Sequence, residues 1–248
     1  MSGFEVFVLG VGDAFTARHH TASLVLVCDG FHLAIDCPDR YREALASAGA
    51  RSGRGVGIEA VDHLLLTHVH GDHMNGLEGL GFFKHFVEQK RLHLAVTPEV
   101  QEVLWDERLR ASMGALFDGT RTRAMELRDY FEIVPLRWEE EHVLGPFRIR
   151  LRRTLHHVPT CAVRVQVAGR TFGYSSDTAF DPSLIDFLSS ADLIVHETNF
   201  GPAHTPYEKL AELPEQLRRR MRLIHFPDEF DRASSAIVPL DEGAWLAV

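Results

Sequence analysis

The sequence predicts an α/β fold, because short apolar runs typical of strands alternate with helical patterns along the whole chain. The 248 residues, 45% of them hydrophobic and 25% charged, are sufficient for a large buried core. No linker is long enough to divide the chain, so we expect one domain over residues 1–248. No apolar run approaches the roughly 18 residues that a membrane-spanning helix needs.

The first third of the chain is rich in strand signals. Apolar and β-branched runs, separated by glycine-containing turns, predict strands at 4–9, 23–28 and 31–36. Between the last two lies Asp29-Gly30, a dipeptide typical of a hairpin turn. We expect a helix over 39–48, which Gly49 would end.

The remainder alternates between the two element types. Strands are predicted at 61–66, 92–96, 147–153, 162–167, 171–175, 192–196 and 221–225. Helices are predicted at 76–89 and 182–188, with helical turns at 206–220. A helical stretch from Pro98 to Met113 and an amphipathic segment at 122–130 predict a helical insertion over about 98–130. Val238 and residues 244–248 are expected to close the last sheet.

Charge and cysteine content exclude several classes of protein. With 26 basic and 35 acidic side chains, the formal net charge of −9 argues against a long nucleic acid as partner. The three cysteines (Cys28, Cys37 and Cys161) share no C-x-x-C spacing, which argues against a disulfide framework or a cysteine-rich zinc site.

The first residues lack a basic segment followed by an apolar one, so we expect a cytoplasmic protein.

The loop after the 61–66 strand carries a dense group of metal-ligand side chains. Three histidines and one carboxylate fall within six positions: His68, His70, Asp72 and His73. Imidazole and carboxylate are ligands that zinc, iron and manganese accept. His68 and His70 can face one ion while Asp72 and His73 face a second, so the spacing predicts a metal site.

This H-x-H-x-D-H motif after an apolar strand resembles the hallmark of the metallo-β-lactamase fold hydrolases. The resemblance extends along nearly the whole chain and implies a four-layer αββα sandwich, with two mixed β-sheets flanked by helices. Further segments are similar to the family's later ligand motifs. They imply His156 as the third histidine, with His157 as the alternative, then Asp177 in Tyr-Ser-Ser-Asp-Thr and His225 in Leu-Ile-His-Phe.

The resemblance implies a dinuclear centre. One ion would be held by His68, His70 and His156, the other by Asp72, His73 and His225, and Asp177 would bridge them. The expected cofactors are two divalent ions, zinc first, with manganese or iron as alternatives. They would share a bridging hydroxide as the nucleophile. Asp36 and Asp13 are expected to support ligands or loops rather than to bind metal.

Within the family, the closest motifs are those of ribonuclease Z and related cyclic-phosphate phosphodiesterases. The segment His196-Glu197-Thr198 resembles their His-Glu-Ala-Thr loop, which makes His196 the candidate general acid, with Glu197 or an acid elsewhere to orient it. His204 is a second candidate, and Asp72 is counted as both ligand and catalytic residue. The long basic arm of ribonuclease Z is absent between His156 and Asp177, which argues against pre-tRNA as the substrate.

The leading hypothesis is therefore hydrolysis of a small phosphodiester or cyclic phosphate, an anionic small molecule. A thioester, lactone or amide is the alternative on the same site, and a metal-retaining binding or regulatory protein is the non-hydrolase alternative. Diiron redox chemistry is disfavoured, because relatives of that kind carry Glu where His70 stands. Many relatives are dimers that cover each other's sites, so a homodimer is one expected assembly.

One basic feature stands apart from the metal motifs. Arg148, Arg150 and Arg152 alternate with apolar residues on the 147–153 strand. The alternation favours a solvated strand face, and attraction of an anion is the alternative.

Overall fold

The structure is a computed structural model that describes residues 3–248, and most of its strands lie in two large sheets. The strands, in chain order, are β1 (Phe4–Gly10), β2 (Ser23–Cys28), β3 (Phe31–Ile35), β4 (His63–Leu65), β5 (Leu92–Val96), β6 (Ala115–Phe117), β7 (Thr122–Ala124), β8 (Phe131–Pro135), β9 (Glu141–Leu144), β10 (Phe147–Arg153), β11 (Cys161–Val167), β12 (Arg170–Tyr174), β13 (Leu193–Glu197), β14 (Met221–Ile224), β15 (Val238–Pro239) and β16 (Trp245–Ala247). The predicted strands agree with these within a few residues.

The helices are short and lie mostly in the connections between strands. They are α1 (Tyr41–Ser52), α2 (Gly71–Met74), α3 (Leu77–Phe82), α4 (Pro98–Val103), α5 (Arg110–Met113), α6 (Leu127–Tyr130), α7 (Pro182–Leu188), α8 (Tyr207–Ala211) and α9 (Glu215–Arg218). π-Helical segments, Phe83–Glu88 and Leu104–Leu109, continue α3 and α4. Among residues 3–248, no helix is both long and apolar enough to cross a membrane.

Each large sheet contains seven strands and is half parallel and half antiparallel. The first has the order β16-β1-β2-β3-β4-β5-β8, and the strands from β3 to β8 are parallel. The second has the order β15-β14-β13-β12-β11-β10-β9, and the strands from β12 to β15 are parallel. Because the carboxyl ends of parallel strands lie at one edge, each sheet presents a row of loops there.

The core is divided between two layers of packing. One buried cluster joins side chains from both sheets, among them Val6, Leu24, Phe147 and Val163. A second cluster lies between the first sheet and its helices and includes Leu45 of α1 and Leu80 of α3. On the outer side of the second sheet, α7 packs on β12 and β13. The predicted α/β fold with two mixed sheets and flanking helices is therefore confirmed.

Three segments differ from the sequence predictions. The first helix runs from Tyr41 to Ser52, because Arg40 adopts a left-handed conformation before it and Gly53 after it. The 98–130 segment is not wholly helical, since β6 and β7 form a hairpin within it. The predicted last strand, β16, pairs with β1 and so completes the first sheet rather than the last one.

Candidate metal centre

The candidate site lies where the parallel strands of both sheets end. The loop after β4 carries His68 and His70, and α2 carries Asp72 and His73. The ends of β12 and β14 supply Asp177 and His225 from the other sheet. These side chains therefore meet between the two sheets, as the resemblance implied.

Three residues just beyond strand ends here have left-handed backbones. The φ angle is 63° at Asp36 after β3, 50° at Ser176 after β12 and 57° at His225 after β14. This conformation is costly for residues other than glycine and persists where the surrounding structure holds it. Its recurrence at three strand ends indicates that the chain is bent sharply to aim side chains at one point.

The first group of candidate ligands contains His68, His70, His156 and Asp177. Their ligand atoms all lie within 4.8 Å of one another. Nε2 of His156 is 3.0 Å from Nδ1 of His70 and 3.6 Å from Oδ2 of Asp177. Two nitrogens bound tetrahedrally to one zinc ion lie about 3.3 Å apart, so this spacing fits a shared ion.

The second group contains Asp72, His73, Asp177 and His225. Nε2 of His225 is 3.2 Å from Oδ2 of Asp72 and 3.6 Å from Oδ2 of Asp177. Nε2 of His73 is 3.4 Å from Oδ1 of Asp177. Asp177 thus belongs to both groups and offers one carboxylate between them.

Hydrogen bonds fix which nitrogen each histidine offers. Nδ1 of His156 lies 3.1 Å from the carbonyl oxygen of Ala203, and Nδ1 of His73 lies 2.8 Å from Oδ2 of Asp36. Because a carbonyl and a carboxylate only accept, both Nδ1 atoms carry hydrogen and donate it. When these two rings are neutral, their Nε2 atoms keep a lone pair that faces the group.

His68 is held in the same way through Thr67. The Thr67 hydroxyl donates to Asp36 at 2.9 Å, so it accepts from Nδ1 of His68 at 3.0 Å. Nε2 of His68 and of His73 are buried and, within residues 3–248, have no hydrogen-bond partner, nor has Oδ1 of Asp177. Buried polar atoms without partners are costly, and metal ions would satisfy them. The residues present therefore fit divalent metal ions.

Burial keeps several of these imidazoles neutral, which is the form that binds metal. It lowers the pKa of His68 well below its usual value and that of His156 to about 4. At His73 burial also lowers the pKa, but the carboxylates of Asp177, Asp36 and Asp72 outweigh it and raise the pKa well above the usual value. Three carboxylates therefore surround His73, and this concentration of negative charge suits a cation.

Asp36 belongs to neither ligand group but orients two of their histidines, His73 directly and His68 through Thr67. We expect Asp36→Ala to weaken metal binding about 10–100-fold, because losing such a supporting carboxylate has that effect in other metal sites. Competition with a chelator, followed by metal analysis, measures the affinity. Asp186→Asn, an exposed position on α7, is the control. Unchanged affinity in Asp36→Ala would contradict this role.

The structure separates the two alternatives for the third histidine. The side chain of His156 is 1% exposed and belongs to the first group, whereas His157 is exposed, with its ring centroid 6.2 Å from that of His70, and belongs to none of the groups found within residues 3–248. The Ala203 carbonyl that orients His156 was not foreseen, since backbone partners leave no signal in a motif.

A second polar pair lies beside the two groups. Nδ1 of His204 is 3.0 Å from Oε1 of Glu197, and the His204 ring lies 5.2 Å from the His156 ring and 5.4 Å from the His225 ring. Glu197 is fully buried. Burial, together with the nearby Asp177 carboxylate, raises its pKa well above the usual value. The pair therefore places an imidazole, anchored by a buried carboxyl group, next to both groups.

The structure corrects the assignment of His196 as the general acid. Side chains alternate along a strand, so His196 shares the face of Ile194 and Gly173, while Glu197 faces the site. That shared face is covered by α7, because a Cβ at Gly173 would lie 3.0 Å from Leu188. His196 is buried, its Nδ1 lies 2.7 Å from the Glu197 carbonyl oxygen, and it belongs to none of the groups of residues 3–248.

Comparisons with known proteins agree with this fold. The profile of the family described as "Anti-Pycsar protein Apyc1" matches residues 4–239. The Anti-Pycsar protein Apyc1 of Saccharibacillus brassicae is 29% identical over 228 residues, which are 89% of each chain. The cAMP/cGMP-dependent 3′,5′-cAMP/cGMP phosphodiesterase B of Dictyostelium discoideum is 24% identical over 95% of this chain and 22% of its own length.

A solved structure gives the same answer for the architecture. The metallo-β-lactamase fold protein YhfI from Bacillus subtilis superposes with a TM-score of 0.75 at 18% identity, covering 99% of this chain and 100% of its own. The resemblance to the metallo-β-lactamase fold is therefore confirmed. Since the family profile spans almost the whole sequence, the chain belongs to the Anti-Pycsar protein Apyc1 family.

Proposed function

We propose that the chain hydrolyses a 3′,5′-cyclic nucleotide at a dinuclear metal centre. The observation that carries the proposal is the pair of ligand groups that share Asp177, with unpartnered ligand atoms facing inward from His68 and His73. A relative named as a 3′,5′-cAMP/cGMP phosphodiesterase supports the substrate class. A cationic centre formed by these side chains and their metals would suit a small anionic phosphodiester.

In the proposed centre, His68, His70 and His156 hold one ion, Asp72, His73 and His225 hold the other, and Asp177 contacts both. Zinc suits this set of imidazoles and carboxylates, with manganese or iron as alternatives. Bound metals would lower the pKa of a water toward about 7, supply a bridging hydroxide and offset charge on the phosphate. Asp36 and Thr67 keep the ligand histidines in the tautomers that this chemistry requires.

The Glu197–His204 pair is proposed to donate a proton to the oxygen that leaves phosphorus. Opening a 3′,5′-cyclic phosphate breaks one P–O bond and leaves an alkoxide, which is a poor leaving group until it is protonated. His204 is partly exposed, with its ring beside both ligand groups, whereas Glu197 lies behind it and anchors Nδ1. Glu197 therefore orients His204, and His204 is the proposed proton donor.

The experiment compares hydrolysis of several substrates before and after chelation of the purified protein. The panel holds 3′,5′-cyclic nucleotides, bis-p-nitrophenyl phosphate, an acyl thioester and a lactone. We expect turnover of cyclic nucleotides to nucleoside monophosphates that is lost on chelation and regained with zinc or manganese. Turnover of only the thioester or lactone would contradict the proposed substrate and favour acyl hydrolysis instead.

We also propose that the protein is a homodimer and that it is located in the cytoplasm. The homodimer expected from relatives is tested by light scattering of the metal-loaded protein, where the mass of one chain would contradict it. The cytoplasmic location is tested by fractionation of cells that produce the full chain.

A further inference from the structure

A basic pocket lies on the outer face of the second sheet, and none of the candidate metal ligands lines it. It has a volume of about 420 Å³ and is lined by three arginines, one carboxylate and three uncharged polar side chains, namely Arg148, Arg150, Arg164, Glu141, Gln166, Thr171 and Ser190. In a chain with a net charge of −9, such a concentration of guanidinium groups is unexpected. It includes two of the three alternating arginines that the metal site leaves unexplained.

Strand register explains how the arginines come together. Arg150 lies directly opposite Arg164 on β11, and in the next row Arg148 lies opposite Gln166, which lies opposite Thr171 on β12. Like charges directly opposite each other across a sheet are destabilising. An anion bound between Arg150 and Arg164 would therefore offset the repulsion between these two side chains.

Arg164 is fixed in place before any ligand binds. Its Nη1 donates to the Phe187 carbonyl at 3.1 Å and to the Ser190 hydroxyl at 2.8 Å, and its guanidinium lies 5.0 Å from the centre of the Phe187 ring. A preorganised guanidinium loses little entropy when it forms further hydrogen bonds. Its remaining N–H groups make no hydrogen bond within residues 3–248.

One carboxylate partly offsets this charge. Glu141 accepts a hydrogen bond from Arg148 at 2.9 Å and one from Arg150 at 3.1 Å. The two arginines remain 61% and 57% exposed, so these ion pairs are screened by water and contribute little. Three guanidinium groups against one carboxylate leave an excess of two positive charges, which matches a phosphate dianion.

We propose that this pocket binds the phosphate group of a small molecule, with a nucleoside monophosphate as the expected ligand. Arginine binds phosphate oxygens through paired hydrogen bonds, and Thr171 and Gln166 add neutral donors beside it. The pocket volume falls in the range that accommodates small ligands. The same phosphate chemistry also describes free inorganic phosphate, so the test includes both.

The test follows backbone amide signals of isotopically labelled, metal-loaded protein during titration with AMP and, separately, with inorganic phosphate. This readout separates the basic pocket from the metal centre, where phosphate could also bind. We expect saturable shifts at Gln166 and Thr171, with AMP binding more tightly than phosphate. Equal affinities would support the pocket with free phosphate as its ligand.

Arg150→Gln removes one guanidinium, and Arg121→Gln, on the exposed β6–β7 hairpin, is the matched control. We expect Arg150→Gln to weaken binding at the pocket at least about tenfold, because hydrogen bonds between charged groups are stronger than those between neutral groups. The control variant should bind as the wild type does. Hydrolysis of cyclic nucleotides should be unchanged in both. Shifts confined to the metal-site loops, or equal binding by Arg150→Gln, would overturn the proposal.

Discussion

Asp177→Asn is expected to reduce cyclic-nucleotide hydrolysis by about 10³-fold or more and to lower the bound metal. Among residues 3–248, Asp177 is the one side chain that belongs to both ligand groups, and it is almost fully buried. Metal ions contribute several kcal/mol to transition-state stabilisation, and each 1.36 kcal/mol changes the rate about tenfold. Steady-state kinetics and metal analysis on the same preparation measure both effects.

Asp186→Asn is the matched control for that substitution, since it makes the same chemical change at an exposed position on α7. It should keep wild-type metal content and turnover. Circular dichroism and a thermal melt separate loss of metal from loss of fold. If Asp177→Asn kept two ions and wild-type turnover, the assignment of Asp177 as the shared ligand would be wrong.

His204→Gln is expected to lower kcat for cyclic nucleotides by about 10²–10⁴-fold while the metal content stays at the wild-type level. The reason is that His204 would donate the proton to the leaving alkoxide but would not hold metal. A phosphodiester with a p-nitrophenolate leaving group needs no such proton, so its hydrolysis should fall far less. That difference between substrates is a result that a purely structural role would not produce.

His157→Gln is the control for His204→Gln, because it alters a nearby histidine that belongs to neither ligand group within residues 3–248. It should keep near-wild-type kcat. Equal losses for both substrates in His204→Gln would indicate a disturbed metal centre rather than a missing proton donor. Unchanged kcat for cyclic nucleotides would contradict the proposed role of His204.

Local patterns in the sequence were sufficient to predict much of the fold. The hairpin at Asp29-Gly30 and the apolar runs on either side of it correspond to β2 and β3, because turn chemistry and alternation are local. The dense ligand loop from His68 to His73 was equally visible. By contrast, the pairing of β16 with β1 joins opposite ends of the chain, and no local signal specifies it.

The place of His196 away from the candidate site could not be predicted for a different physical reason. A motif places His196 and Glu197 together, but adjacent residues on a strand point to opposite faces. The packing of Leu188 against Gly173 determines which face of the sheet α7 covers, and this is a tertiary contact. The contact between Glu197 and His204 likewise requires the loop after β13 to fold back over the site.

The most direct test of the central claim is a metal titration of chelated wild-type protein, with bound metal and cyclic-nucleotide hydrolysis measured in the same samples. The two ligand groups predict that binding saturates near two ions per chain and that full turnover, yielding nucleoside monophosphate, appears only as the second ion binds. Full hydrolysis by metal-free protein, or saturation with two ions and no hydrolysis of any cyclic nucleotide, would contradict the account.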